Sequence, residues 1–274
     1  MRPPREDIAI PPLPPDLGWI GAEPGPGAER LAARGPVLVH FFDFAQLNGV
    51  RTLPYVRAWH ERYAQFGVTV LGVDSPRFAR LASADALRSG IGRLEIPYPV
   101  ALDLDHRVWR AYGCRGWPSL FLWGRGGVLR WFHFGEGEYR DTEEAIQELI
   151  LESCPGARLP APLEPLRPGD APGALVIPPT EEVLPGGSTS RAWEATPDAP
   201  RLELEYAAGA AFATADGDGP LEVELDGRPS EPIAVAGAAL YELATHERHG
   251  EHRLALRPAA GVRVWSVSFA AGVP

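Results

Sequence analysis

The six residues Val37-Leu38-Val39-His40-Phe41-Phe42 leave this part of the chain few options. A run so rich in β-branched and aromatic side chains, and too short for a core helix, reads as a strand buried on both faces. The next segment has a different period. Val50, Leu53, Val56, Trp59, Tyr63 and Phe66 recur at spacings of three and four, which predicts a helix over Arg51 to Phe66 with Pro54 in its tolerant first turn. Val68 to Val73 reads as a second strand and Pro76 to Leu87 as a second helix. Tyr98 to Leu102, Ser119 to Trp123 and Leu129 to Phe134 read as further strands, with a short helix over His106 to Tyr112 and a closing one over Thr142 to Glu152. Such alternation belongs to an α/β layer fold, and the Gly124 to Gly127 turn makes its last two strands an antiparallel hairpin at the sheet edge.

Several phrases carry a family likeness. They are Val50-Arg51-Thr52-Leu53-Pro54-Tyr55-Val56-Arg57-Ala58-Trp59, Ile96-Pro97-Tyr98-Pro99-Val100-Ala101-Leu102-Asp103, Trp117-Pro118, and His133-Phe134-Gly135-Glu136-Gly137-Glu138-Tyr139 with Thr142-Glu143. Over about residues 15 to 155 the chain resembles the thioredoxin-like part of the bacterial DipZ proteins, near the TlpA branch. The resemblance implies a Cys-Ile-Asn-Cys loop at the head of the first long helix, and here that loop reads Gln46-Leu47-Asn48-Gly49. Asn48, the only asparagine in the chain, keeps its place while both cysteines are gone. In such a motif the helix N-terminus stabilises an attacking thiolate, and the amide of Gln46 cannot take that part. Alongside, His40 stands where relatives often carry a buried aspartate that assists proton transfer, and Phe42 where they carry tryptophan.

Only Cys114 and Cys154 remain, in neither a Cys-x-x-Cys nor a metal-ligand spacing. Cys114, four residues before Pro118 and followed by Arg115, is the one thiol a rival enzyme reading can use; otherwise it is a small buried core residue. Peptide recognition outlasts the cysteines more readily. The resemblance implies a cis bond at Trp117-Pro118, leaving the main chain of Trp117 free to pair with an extended partner. Glu136 between Gly135 and Gly137 joins the candidates, because flanking glycines signal an unusual backbone shape. The candidate binding edge is therefore Gln46, Leu47, Asn48, Gly49, Trp117, Pro118 and Glu136, with no catalytic residue, no cofactor and no metal expected.

The chain of 274 residues is longer than one such unit needs. Residues 1 to 154 are assigned to the thioredoxin-like domain with a proline-rich extension over 1 to 15, and residues 155 to 174 to a linker with prolines at 155, 160, 162, 165, 168 and 172. Residues 175 to 274 then show period-two phrases such as Leu221-Glu222-Val223-Glu224-Leu225 and Arg253-Leu254-Ala255-Leu256-Arg257, with turns at Asp226-Gly227 and His249-Gly250. They predict an all-β, jelly-roll-like sandwich. In the resembling proteins the equivalent module looks carbohydrate-binding, which makes glycan binding a further alternative. His246, His249 and His252 sit in a solvated, turn-like composition that does not favour convergence on a metal.

Net charge of −10 without a basic cluster argues against nucleic acid and anionic membranes as partners. Every basic residue is arginine, a sign of a high-GC genome rather than of function. No apolar leader and no apolar run near the ~18 residues a membrane span requires are present, from which a cytoplasmic address is expected. These readings converge on a redox-inactive binding or scaffold module for a protein or peptide.

Overall fold

The computed structural model describes all residues except 4 to 6 and 23 to 24, so part of the proline-rich extension lies outside the described residues. The chain divides into two compact units. The first comprises Met1–Phe44, Asn48–Pro76 and Ile91–Glu164, and the second Ala45–Leu47, Arg77–Gly90 and Pro165–Pro274.

The first unit is a thioredoxin-like α/β layer fold. Its strands are β1 (Gly18–Ile20), β2 (Val37–Phe42), β3 (Thr69–Asp74), β4 (Val100–Leu102), β5 (Ser119–Trp123) and β6 (Leu129–Phe134), in the sheet order β1-β4-β3-β2-β5-β6. β2 lies parallel to β3 and antiparallel to β5, with Phe41 opposite Ser119. Every residue of β2 is buried, as the unbroken run demands of a central strand. Val37, Val39 and Phe41 join a core with Leu71, Val73 and Phe121, and by strand alternation Leu38, His40 and Phe42 occupy the other face.

The helices are α1 (Ala28–Ala32), α2 (Leu47–Tyr63), α3 (Ala84–Arg93), α4 (Arg107–Ala111) and α5 (Tyr139–Ser153). Two expectations need correction. α2 begins at Leu47, so Pro54 lies inside the helix and not in its first turn. The segment Pro76 to Leu81 forms a loop and a 3-10 turn, and α3 starts only at Ala84, where the Ser83 hydroxyl accepts from the Ala86 amide. β1, with Trp19 buried in the core, has no counterpart in the sequence reading; at three residues it is too short to show a period.

The hairpin edge is covered. Met1 exchanges main-chain hydrogen bonds with Phe132, Leu129 N–H donates to Ile8 O at 2.9 Å, and Ile10 N–H donates to Gly127 O at 2.8 Å. The described N-terminal residues thus take up donors and acceptors that an edge strand would otherwise offer to other chains.

The second unit takes in the 3-10 turn Ala79–Leu81 and most of α3, and its C-terminal part is all-β: β7 (Leu202–Asp216), β8 (Asp218–Leu225), β9 (Arg228–Pro229), β10 (Ile233–Ala236), β11 (Ala239–Pro258) and β12 (Arg263–Ala270). Its path runs β10-β8-β11-β7-β12, with β9 beside β8. These strands join in one hydrogen-bonded sheet, because the long β7 and β11 pair through register shifts instead of ending. Asp226 and Gly227 both have positive φ, the backbone of a two-residue hairpin turn, which fits the sequence signal. His249-Gly250 is not a turn: β11 runs through it, and residues 246 to 249 bulge between Thr245 and Gly250. No helix among the described residues is long and apolar enough to cross a membrane.

Candidate functional site

The end of β2, the start of β5 and the head of α2 define the region where the resemblance places chemistry. Since Phe41 pairs with Ser119, the chain leaving β2 departs beside Trp117-Pro118, whose peptide is cis. Pro118 O accepts from Gly135 N–H at 2.8 Å, and Glu136 Oε1 accepts from Arg51 Nε at 2.8 Å. The strand-to-helix loop is thereby fastened both to Pro118 and to the first turns of α2. Gly135 and Gly137, at φ 89° and 107°, supply the backbone shape that lets Glu136 reach Arg51. Glu136 is thus an ion-pair partner inside the fold, with the pair about one-fifth exposed.

The Gln46 to Gly49 segment is more enclosed than a docking edge. Leu47 is 2% exposed and packs with Ala210 and Ala270 in the second unit, where Thr214 Oγ1 also donates to Ala45 O at 2.6 Å. Gly49 is buried as well; a Cβ there would stand 3.3 Å from Phe42 Cβ and 3.4 Å from the Asp43 main chain. Gln46 and Asn48 are half-buried, and Asn48 O accepts from Thr52 Oγ1 at 2.9 Å. Leu47 and Gly49, named as binding residues from sequence, are therefore packing residues. The Leu47 side chain fills apolar space, and the missing side chain of Gly49 lets its backbone lie close to Phe42 and Asp43.

Trp117 is half-buried, stacked on Trp109 with centroids 5.6 Å apart and touched edge-on by His106. Neither its main-chain N–H nor its C=O has a hydrogen-bond partner among the described residues, while its neighbours Gly116, Pro118 and Ser119 are all engaged.

His40 makes no polar contact among the described residues. It is fully buried, stacked on Phe42 at 5.0 Å, and neither ring nitrogen finds a partner. Burial alone pushes its pKa down to about 3, so the imidazole stays neutral at ordinary pH.

Sequence reasoning missed the aspartates at the carboxyl ends of the parallel strands. Asp43, Asp74 and Asp103 follow or end β2, β3 and β4, and all are buried. Asp103 accepts from the Val108 and Trp109 amides at 3.0 and 2.8 Å and so caps α4, while Ser75 Oγ donates to it at 3.0 Å. Asp74 accepts from Phe44 N–H at 3.0 Å; burial, then the charge of Asp43, raises its carboxyl well above the usual range. The sequence marks them only singly, each acid directly following an apolar strand residue.

Cys114 lies in the core among Tyr112, Phe121 and Trp123, 6% exposed. Burial pushes its thiol well up, with a hydrogen bond from Ser119 opposing only in part. Arg115 does not act on it, since its guanidinium lies over Phe134. Cys154 is exposed. Titration of the native protein with an aromatic disulfide reagent should therefore find about one reactive thiol per chain, and about two after unfolding. Two in the native state would contradict the burial of Cys114.

His246 and His252 stack at 3.6 Å, held by Tyr206 Oη on one ring and Asp226 on the other, while the main-chain N–H of His249 donates to Val273 O. Among the described residues no three His, Cys, Asp or Glu side chains are grouped to hold a metal ion.

No protein-family profile matches the chain. It is 27% identical over 294 residues to Protein DipZ of Mycobacterium bovis, covering 93% of this chain and 42% of DipZ. The chain thus spans about two-fifths of the length of that relative. It is 22% identical to the thiol-disulfide oxidoreductase YkuV of Bacillus subtilis, over 53% of this chain and 95% of YkuV. Among solved structures, a thiol-disulfide isomerase from Corynebacterium glutamicum is 24% identical with a TM-score of 0.45, covering 52% of this chain and 96% of that one.

Proposed function

From a chain that is a thioredoxin-like protein of the DipZ type with its cysteine pair replaced, we propose a function in binding rather than electron transfer: a redox-silent scaffold for an extended protein or peptide segment. The observation that carries this is the unpaired main chain of Trp117. One donor and one acceptor stand open beside the end of β2, where an incoming strand can satisfy both. The surface for it is Trp117, Pro118 and the Arg51–Glu136 pair, without Leu47 and Gly49. The indole of Trp117, braced by Trp109, gives such a segment a flat apolar anchor.

A backbone-specific test suits this mode. In amide NMR against a library of extended eight-residue peptides, the Trp117 N–H is expected to shift on binding. Trp117→Phe should keep most of the affinity, while Trp117→Pro, which deletes the donor, should lose about tenfold or more. If no peptide moves the Trp117 amide, or if Trp117→Pro binds as the wild type does, the reading fails.

Likeness to the thiol-disulfide oxidoreductase YkuV supports a second reading, thiol–disulfide exchange, for which Cys114 is the candidate nucleophile. It predicts a sulfenate at Cys114 after peroxide, trapped by dimedone and lost in Cys114→Ser. The burial of the thiol weighs against it.

A further inference from the structure

Within the second unit, a cleft of about 660 Å³ is walled by the segment from Pro185 to Ala199, the turn carrying Arg80, and the start of β12. This volume falls within the ~300–1,000 Å³ common for small-molecule sites. Its chemistry runs against the acidic character of the chain, because three arginines, Arg80, Arg191 and Arg263, line it with Glu194 as the acidic group among them.

The arginines are not equivalent. Arg263 is consumed by Asp216: its Nε donates to Asp216 Oδ1 at 2.9 Å and its Nη2 to Oδ2, and Trp265 Nε1 donates to the same Oδ1 at 2.9 Å. That network makes a fixed floor. Arg80 and Arg191 are exposed, and neither guanidinium has a hydrogen-bond or ion-pair partner among the described residues. Two guanidinium forks without a carboxylate partner thus line one cleft, which concentrates unmet donors there.

The cleft also has a flat wall. Trp193 is half-buried and fixed by paired main-chain hydrogen bonds with Val264, at 2.8 and 2.9 Å, between the two floor residues Arg263 and Trp265. An indole held by its backbone beside unpaired guanidiniums matches a ligand that presents a ring to one and oxygens to the other.

We propose that this cleft binds a small oxyanion carried on a ring, its phosphate or carboxylate held by Arg80 and Arg191 and its ring laid on Trp193. The proposal is independent of the peptide-binding reading, which concerns the first unit.

Calorimetry on the full chain tests it with AMP as ring phosphate, glucuronate as ring carboxylate, adenosine as uncharged ring, and inorganic phosphate as ringless anion. At least one of AMP and glucuronate should bind with a Kd of about 1 mM or tighter, and which of them does so names the oxyanion. Adenosine and inorganic phosphate should each bind about tenfold more weakly or not at all, and Arg80→Ala, Arg191→Ala and Trp193→Ala should each weaken the bound probe by about tenfold. Arg80 and Arg191 are exposed, so their variants should keep the wild-type melting temperature. The proposal is overturned if neither ring anion binds, if a control binds as tightly as the ring anion, or if binding survives loss of both arginines.

Discussion

Removal of the His40 imidazole is expected to change the pH dependence of stability by a large amount. The ring is fully buried without a partner, and its pKa falls from an unfolded value of about 6.5 to about 3. Between those values the unfolded chain holds one proton more than the folded chain, so stability falls as pH falls. The slope is about 1.4 kcal/mol per pH unit, beginning near pH 6.5 and complete near pH 3. Asp74 acts in the opposite direction, because its raised folded pKa keeps a proton that the unfolded chain gives up above about pH 3.9, and that stability is lost as pH rises. The two slopes overlap, so the wild-type curve alone does not separate them. The difference from His40→Leu does. Urea unfolding at pH 7.5 and pH 4.5 should show the variant gaining on the wild type by about 2–3 kcal/mol across the interval. Leucine also removes two unsatisfied nitrogens from an apolar place, which should make the variant equal or more stable at pH 7.5. A gap independent of pH would mean that the imidazole is solvated or paired in the native protein.

Return of the missing sulfurs is the second large effect. Gln46→Cys with Gly49→Cys should give a chain that reduces insulin disulfides with dithiothreitol at least about a hundredfold faster than the wild type above the dithiol background. Position 46 directly precedes α2, where the helix terminus lowers a thiol pKa, and the Pro118 and Gly135 frame is already in place. The cost falls at position 49, where the new Cβ needs Phe42 or the Asp43 main chain to yield by a few tenths of an ångström. Gln46→Cys alone should take up one more equivalent of thiol reagent than the wild type and show no turnover. Failure of the double variant, if it is folded, would show that more than the two cysteines separates this loop from a working one.

The α/β unit was legible because its central strand is an unbroken apolar run and its main helix keeps a clean period from Val50 to Tyr63, after which the expected helix gives way to a 3-10 turn over Ala64–Phe66. Local chemistry misleads where tertiary contacts decide. His249-Gly250 has turn composition, yet pairing on both sides of the bulge carries β11 through it. Leu47 and Gly49 read as a recognition edge because the motif they replace is one; the packing of Leu47 with Ala210 and Ala270, and of Gly49 against Phe42, is not encoded in any local pattern. Glu136 stands out in the sequence for a sound reason, its two glycines, but its partner Arg51 lies 85 residues away. The carboxylates of Asp43, Asp74 and Asp103 are visible as residues and invisible as a group, since only the parallel sheet brings three strand ends together.

The decisive measurement is turnover of insulin disulfides by the unmodified chain in the presence of dithiothreitol. A rate indistinguishable from dithiothreitol alone is predicted, since one sulfur is shut in the core and the other lies beyond α5. A rate above that background which disappears in Cys114→Ser would restore electron transfer to this protein and contradict its assignment as a scaffold.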